Sequence, residues 1–185
     1  MAKIKGSFFT ALKAFIQDRF SQDGWSRFVE AMPEKERIQF EMPVSGKWYD
    51  LELAHASLRA LVEVLGDGSE ELAADFGRFD AERDLTGVQR FFLRMANPAY
   101  TIEKAGEYWN RFCDFGEWKI ERRGKSEAAA TLSGVPLVEK LYCRQLGVYL
   151  VRMFELVGAK DIQVEHTSCL ARGDQVCTWV GSWKE

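Results

Sequence analysis

The hydrophobic pattern of the chain changes its period near residue 116, and this change limits the fold more than any other feature. Before that point, apolar residues recur every three or four positions, as in the segment 51–65, which is typical of amphipathic helices. After it, segments such as 118–122 alternate apolar and polar side chains, which is typical of strands. The sequence therefore predicts a helical part over 1–115 and a strand-containing part over 116–185.

The second part of the chain divides into two strand pairs around one helix. Alternation predicts strands at 118–122, 128–133, 162–166 and 176–180. The apolar run between the pairs predicts a buried central helix that begins at Pro136, because a proline costs little in the first helical turn. This β-β-α-β-β order indicates an α+β fold, with the helical N-terminal half packed on a four-stranded antiparallel sheet.

The helical part has less regular signals at its ends and breaks. Ser7 is placed to cap the first helix, and Gly24 is expected to end it. Alternation across 38–42 predicts a short strand. Thr86 is expected to cap a later helix that runs through Met95.

Length, charge and hydropathy exclude some classes of protein. A chain of 185 residues suits one domain with a sizeable core, so we expect a single domain over 1–185. The net charge of −3 argues against a nucleic-acid partner, since phosphate binding needs a basic surface. No apolar run approaches the ~20 residues of a membrane span, and the first residues lack the apolar stretch of a signal peptide, so we expect a cytoplasmic protein.

Three of the four cysteines and one of the two histidines lie at metal-ligand spacing in the last quarter of the chain. Cys143, His166, Cys169 and Cys177 form the pattern C-x22-H-x2-C-x7-C. Four thiolate and imidazole ligands close a tetrahedral structural zinc site, and a tight hairpin would set Cys169 opposite Cys177. In a regular strand His166 points away from Cys169, so Glu165 is the alternative fourth ligand unless a bulge intervenes. Unconnected buried thiols, or a Cys169–Cys177 disulfide, are the alternatives to a metal site.

A family resemblance rests on the same region. The stretch V-E-H-T-S-C-L-A-R-G-D-Q-V-C over 164–177 resembles the C-terminal signature of 4-vinyl-reductase-like domains, the ligand-sensing domains of phenol- and xylene-responsive bacterial regulators. In that family a helix cysteine, a glutamate and two hairpin cysteines hold zinc. The resemblance implies that Cys143, Cys169 and Cys177 are zinc ligands, with His166 standing where the glutamate is expected.

Weaker similarity extends over most of the chain. The segments 5–9, 48–50 and 76–78 are similar to a myxobacterial paralogous family, and both groups resemble the superfamily of haem nitric-oxide sensors and Golgi-transport tethering subunits. That resemblance implies helices on a four-stranded antiparallel sheet, an apolar ligand cavity and frequent homodimers. The Tyr-x-Ser-x-Arg motif of the haem sensors is absent, and we interpret His55 as a core histidine, not a haem ligand.

Aromatic residues concentrate where the helical part meets the strands. Ligand pockets are lined mainly by aromatic and aliphatic side chains, so these rings are candidates for a ligand-binding surface, with ordinary core packing as the alternative. The candidate ligand-binding residues are Tyr108, Trp109, Phe112, Trp118, Tyr149 and Met153.

Other reactive side chains have simpler interpretations. Cys113 is expected to be a buried apolar cysteine. The acidic residues Asp75, Asp80, Glu82 and Asp84 are expected to form the solvated face of a helix, not an acid–base pair.

These features together predict a non-enzymatic small-molecule-binding or sensory domain with a structural zinc ion. Its expected partners are a small apolar or aromatic ligand, a second copy of the chain and a downstream signalling protein. The alternative is a structural adaptor, which a filled core and an exposed apolar patch would favour. An enzyme acting on a tetrapyrrole is a third hypothesis, and the absence of a nucleotide-binding motif weighs against it.

Overall fold

The computed structural model describes residues 1–84 and 98–184. The helices among these residues are α1 (Ser7–Ala31), α2 (Glu34–Glu41), α3 (Leu51–Ala60), α4 (Glu71–Asp84), α5 (Pro98–Glu103), α6 (Ala105–Phe112) and α7 (Lys140–Leu156). The strands are β1 (Lys3–Lys5), β2 (Trp48–Asp50), β3 (Glu117–Gly124), β4 (Glu127–Ser133), β5 (Lys160–Ser168) and β6 (Cys177–Lys184). A π-helical turn at Leu61–Leu65 extends α3, and a 3-10 turn at Leu170–Arg172 lies between β5 and β6.

The second part of the chain forms the predicted four-stranded antiparallel sheet. Its strand order is β3-β4-β6-β5, and β4 pairs centrally with β6 through Ala129 opposite Val180. Helix α7 connects the two strand pairs. The α+β prediction, with helices and a four-stranded antiparallel sheet, is therefore confirmed.

A second, two-stranded sheet was not predicted. Strand β1 pairs with β2 through Ile4 opposite Tyr49, and both of these side chains are buried. Ile4 also forms an isolated bridge with Cys113. The N-terminus is thereby held against the end of α6, next to the start of the large sheet.

Helices α4 and α7 pack closely against each other at Gly77. A Cβ atom on Gly77 of α4 would lie 2.3 Å from the backbone oxygen of Gln145 in α7, far inside van der Waals contact. The two backbones can approach this closely only because residue 77 has no side chain. The core continues from this contact into α1 through Phe76, whose ring lies 5.3 Å from that of Phe8.

The segment predicted as a strand at 38–42 is instead part of helix α2. Phe40 is buried at 1% exposure, whereas Ile38 and Met42 are 76% and 81% exposed. The alternation therefore did not reflect a strand with one buried face. Pro33 precedes the helix, and the first turn carries Glu34, which interacts favourably with the positive end of the helix dipole.

Three predicted helix boundaries are also wrong. The N-cap of α1 is Gly6, so Ser7 lies inside the helix, and the break in α1 lies at Ser21, where φ is 62°, not at Gly24. The central helix begins at Lys140, not at Pro136, because the backbone of Glu139 is still extended. The helix expected from Thr86 through Met95 lies outside the described residues.

Among the described residues, no helix combines the length and the apolar character that a membrane crossing requires.

We expect Gly77→Ala to lower the free energy of unfolding by about 1–3 kcal/mol, because the added methyl group overpacks the α4–α7 contact. Chemical denaturation measures the change. Gly46→Ala is the matched control, since a Cβ atom there meets nothing within 4 Å and should change stability by less than about 0.5 kcal/mol. Equal effects of the two substitutions would contradict the tight contact.

Candidate ligand-binding site

A cavity of about 140 Å³ lies between the helices and the large sheet. Its walls come from β1, α1, α4, α5, α6, β3 and α7. All of the candidate ligand-binding residues named from the sequence line it: Tyr108, Trp109, Phe112, Trp118, Tyr149 and Met153. The structure thus brings these residues together around one space, and their role as ligand contacts stays a prediction.

Aromatic rings form one side of the cavity. Trp109 of α6 and Trp118 of β3 meet edge to face, with ring centroids 5.8 Å apart. The indole of Trp109 donates a hydrogen bond to the backbone oxygen of Phe115 at 2.5 Å, which fixes the ring. Trp118 in turn packs against Trp179 of β6, with centroids 5.6 Å apart. The sheet therefore holds this aromatic wall in place.

Carboxyl groups also line the cavity, and we call them the carboxyl wall. Asp80 and Asp84 stand one turn apart on α4 and both line the space. From α7, the Gln145 amide donates a hydrogen bond to Asp80 Oδ2 at 3.3 Å, and the Tyr149 hydroxyl donates one to Asp84 Oδ2 at 2.9 Å. Each carboxyl is thus held by a polar group of the helix that α4 packs against.

The environment of this pair changes its acidity. Burial, followed by the charge of Asp84, raises the pKa of Asp80 well above its usual range. Burial also raises the pKa of Asp84, against the opposing effects of the Tyr149 hydrogen bond and the Arg83 charge. Perturbed carboxyls in a cavity are typical of functional sites.

The prediction that these acidic residues lie on a solvated helix face is therefore wrong for Asp80, which is 7% exposed, and for the half-buried Asp84. A signal was present in the sequence. Asp80 lies three and four positions after Gly77 and Phe76, both buried, so it continues the apolar stripe of α4.

A second pair of polar groups, Cys113 and Tyr142, also lines the cavity. Cys113 Sγ lies 4.0 Å from the Tyr142 hydroxyl, and burial raises the pKa of the Cys113 thiol to about 12. Cys113 is therefore a buried cysteine, as expected, and it also lines the cavity. His55 packs against the other side of Tyr142, with ring centroids 5.3 Å apart, and does not line the space.

Three of the four predicted metal ligands come together outside the cavity. The sulfur atoms of Cys143, Cys169 and Cys177 all lie within 4.8 Å of one another, and all three residues are buried. Cys143 Sγ lies 3.9 Å from Cys177 Sγ. This hydrogen bond lowers the pKa of Cys177 and raises that of Cys143.

The loop around these cysteines differs from the predicted tight hairpin. Strand β5 ends at Ser168 and β6 begins at Cys177, so Cys169 is not a strand partner of Cys177. The 3-10 turn after Cys169 instead points the Leu170 N–H at Cys177 Sγ, 3.4 Å away. The cysteines therefore meet through the loop, not through strand register.

His166 and Glu165 do not belong to the group of three sulfurs. A register shift between His166 and Ser168 marks a bulge in β5, and His166 consequently lines the same groove as Cys143 and Cys169. Its ring stacks on Trp179, with centroids 4.4 Å apart and planes at 6°. Glu165, the alternative fourth ligand, is exposed and is also absent from the cluster.

No protein-family model matches the chain, and no curated protein sequence matches it. Solved structures do match. An H-NOX protein from S. oneidensis in the Fe(II)NO ligation state is similar with a TM-score of 0.78 and 16% identity, over 98% of this chain and 100% of that one. An unliganded Fe(II) H-NOX protein from K. algicida has a TM-score of 0.73 and 13% identity, over 98% and 97% of the two chains.

A third solved structure extends the comparison. An oxygen-binding H-NOX domain related to soluble guanylate cyclases, in its oxygen complex, has a TM-score of 0.70 and 11% identity, over 98% of this chain and 96% of that one. At these identities the likeness shows the fold. The chain therefore has the H-NOX fold, which agrees with its resemblance to the superfamily of haem nitric-oxide sensors. The narrower resemblance to 4-vinyl-reductase-like domains stays a prediction.

The prediction of a structural zinc cofactor is wrong. The metal named for the matched solved structures is the Fe(II) of H-NOX proteins. Within the described part of the chain, the expected cluster also supplies three ligands where a closed tetrahedral zinc site needs four. The sequence spacing identified thiols that meet, but it did not identify a zinc cofactor.

We expect Asp80→Asn to raise the free energy of unfolding at pH 7. Because the folded pKa of Asp80 is raised, its stabilising contribution is complete at low pH and is lost as pH rises above the unfolded value near 3.8. Asparagine cannot ionise, and its side-chain oxygen can still accept the Gln145 hydrogen bond. Denaturation at pH 7 and at pH 4 measures the difference, which should shrink at the lower pH.

Asp75→Asn is the control for this substitution, because Asp75 lies on the same helix with a half-exposed side chain, and its ion pair with Arg19 is solvent-exposed and therefore weak. It should change stability by less than about 0.5 kcal/mol. A loss of stability in Asp80→Asn at pH 7 would contradict the buried-carboxyl interpretation.

We expect His55 to make the fold sensitive to acid. Burial lowers the pKa of His55 from 6.5 to about 4, so the folded state binds fewer protons than the unfolded state between these values. Its contribution is complete above pH 6.5 and falls by about 3 kcal/mol as pH drops to 4. Denaturation across this range, compared with His55→Phe, isolates the effect. Parallel pH profiles for the two proteins would contradict it.

Proposed function

We propose that this chain is a non-enzymatic sensory domain that uses the H-NOX fold without haem and holds a small, mostly apolar molecule in its cavity. The observation that carries the proposal is the cavity itself: it combines an aromatic wall with a carboxyl wall, and it has no histidine. An apolar pocket with a few convergent polar groups is the usual form of a small-molecule site.

The ligand set of the cavity argues against haem. Haem iron is held in proteins by histidine, by a cysteine thiolate, by methionine together with histidine, or by tyrosine. For Tyr142 and Tyr149, which line the cavity, burial raises the pKa of the hydroxyl well above its usual range, which disfavours a tyrosinate ligand. The whole sequence contains only two histidines, and neither His55 nor His166 lines the cavity. Cys113 does line it, but its pKa of about 12 keeps the thiol protonated at neutral pH, so it does not supply a thiolate.

The charge and the size of the cavity also argue against haem. Haem carries two propionates, whereas the described lining residues present Asp80 and Asp84 and no lysine or arginine. Carboxylates repel carboxylates in a low-dielectric site. A cavity of 140 Å³ is close to the size that accepts a single benzene ring, and a tetrapyrrole is several times larger. The residues present do not fit haem.

A bound ligand would act on the helices that carry the site. The cavity touches α4, α6 and α7, and a ligand shifts a conformational equilibrium by its difference in affinity for the two states. A homodimer and a downstream signalling protein remain the predicted route by which such a change is read. The adaptor alternative requires a filled core, so the cavity favours the sensory role.

Titration with fluorobenzene, followed by ¹⁹F NMR, tests the proposed function. We expect saturable binding to the wild-type protein, because one ring fits the cavity. Leu146→Trp places a larger side chain on the lining and should abolish binding. Leu137→Trp is the control, since Leu137 is exposed and outside the cavity. Absence of fluorobenzene binding, or stoichiometric uptake of haemin with a Soret band, would overturn the proposal.

A further inference from the structure

The carboxyl wall of the cavity lacks a basic partner among the described lining residues. Asp80 and Asp84 receive hydrogen bonds from two neutral groups of α7, the Gln145 amide and the Tyr149 hydroxyl. Arg83 lies on the same helix, and its charge acts on both carboxyls. It stands outside the lining, so its guanidinium does not occupy the cavity side of the pair.

Such a pair is costly to keep ionised. Burial raises the pKa of both carboxyls, which means that the folded protein disfavours their charged forms. A buried carboxylate is stabilised when a cation is placed against it with good hydrogen-bond geometry. The cavity side of the pair is the face from which a ligand can supply that cation.

The aromatic rings of the lining favour a ligand that is both aromatic and positively charged. Trp109 and Trp118 present indole rings to the space, and Tyr108 and Phe112 add two more rings. The faces of such rings attract organic cations, tryptophan most strongly. Their area also accepts the apolar part of a ligand.

Building on the proposed function, we propose that the ligand is a primary amine attached to one aromatic ring. The ammonium group donates hydrogen bonds to Asp80 and Asp84. The ring packs against Trp109 and Trp118. The volume of 140 Å³ sets the limit at about one ring. The same carboxyls reject organic anions, because like charges repel in a buried site.

Four ligands of nearly equal shape separate these contributions: toluene, benzyl alcohol, benzylamine and benzoate. Each is titrated at pH 7 into the wild-type protein, and the dissociation constants are compared by isothermal calorimetry or by displacement of fluorobenzene. We expect benzylamine to bind about tenfold more tightly than toluene or benzyl alcohol, the gain of one charge-assisted interaction. Benzoate should bind more weakly than toluene.

Asp80→Asn and Asp84→Asn test the assigned partners. Both substitutions retain an oxygen that accepts the hydrogen bond from α7, so the lining keeps its shape. Each should reduce the preference for benzylamine over toluene by about threefold or more, while fluorobenzene still binds. Asp75→Asn, on the exposed side of α4, should leave the preference at its wild-type value.

The outcomes distinguish this inference from the function on which it rests. If toluene binds and benzylamine binds no better, the amine assignment is overturned and the apolar site stands. Preferential binding of benzyl alcohol would also overturn it, in favour of a neutral hydroxyl ligand. If none of the neutral rings binds the wild-type protein, the proposed function itself fails.

Discussion

The contact between α4 and α7 at Gly77 is the constraint on which the rest of the site depends. A side chain at this position would meet the Gln145 backbone oxygen at 2.3 Å, so the distance between the helices is set by backbone, not by packed side chains. One turn further along α4, the same closeness brings Asp80 to Gln145, and one turn beyond that it brings Asp84 to Tyr149. The carboxyl wall is therefore a geometric consequence of one glycine. Since α7 also carries Cys143 and leads into β5, this contact links the cavity to the cysteine cluster and the sheet.

The sequence predicted the sheet better than the helical part, for a physical reason. Along β3 and β6, alternate side chains are less exposed than their neighbours, so the alternation in 118–122 or 176–180 reports the structure directly. The short helix α2 buries little more than Phe40, so its hydrophobic pattern carries almost no information about helical or strand period. The apolar residues that alternate with Phe40 are exposed, and their alternation was misleading. The missed pairing of β1 with β2 involves three residues on each strand, too few to show a period. The break at Ser21 depends on a backbone conformation with φ of 62°. The presence of a serine in the sequence does not predict that conformation.

The candidate site was predicted in its apolar half and missed in its polar half. Trp109 and Trp118 were identifiable because aromatic residues concentrate where the helical part of the sequence meets the first predicted strand. Asp80 was assigned to solvent because charged residues on a helix are usually exposed, although its position in the apolar stripe of α4 marked it as buried. The cysteines show a different limit. Spacing identified Cys143, Cys169 and Cys177 as neighbours, but their convergence depends on a loop turn and a bulge in β5, and spacing does not determine which metal, if any, a group of thiols holds.

The carboxyl pair also connects ligand binding with the stability of the fold. Two apolar residues in place of Asp80 and Asp84 would pack between α4 and α7 without the desolvation that raises both pKa values. A ligand that binds only the folded state adds a stabilisation that grows with its concentration relative to Kd. An ammonium group placed against the pair would therefore offset the desolvation cost of two carboxylates that lie at the α4–α7 contact itself. In that case ligand binding would tighten the contact that positions α7, and with it the start of β5 and the loop that carries Cys169. The aromatic wall alone could hold the ring of a ligand. It is through the carboxyl wall that ligand binding would stabilise the contact between α4 and α7.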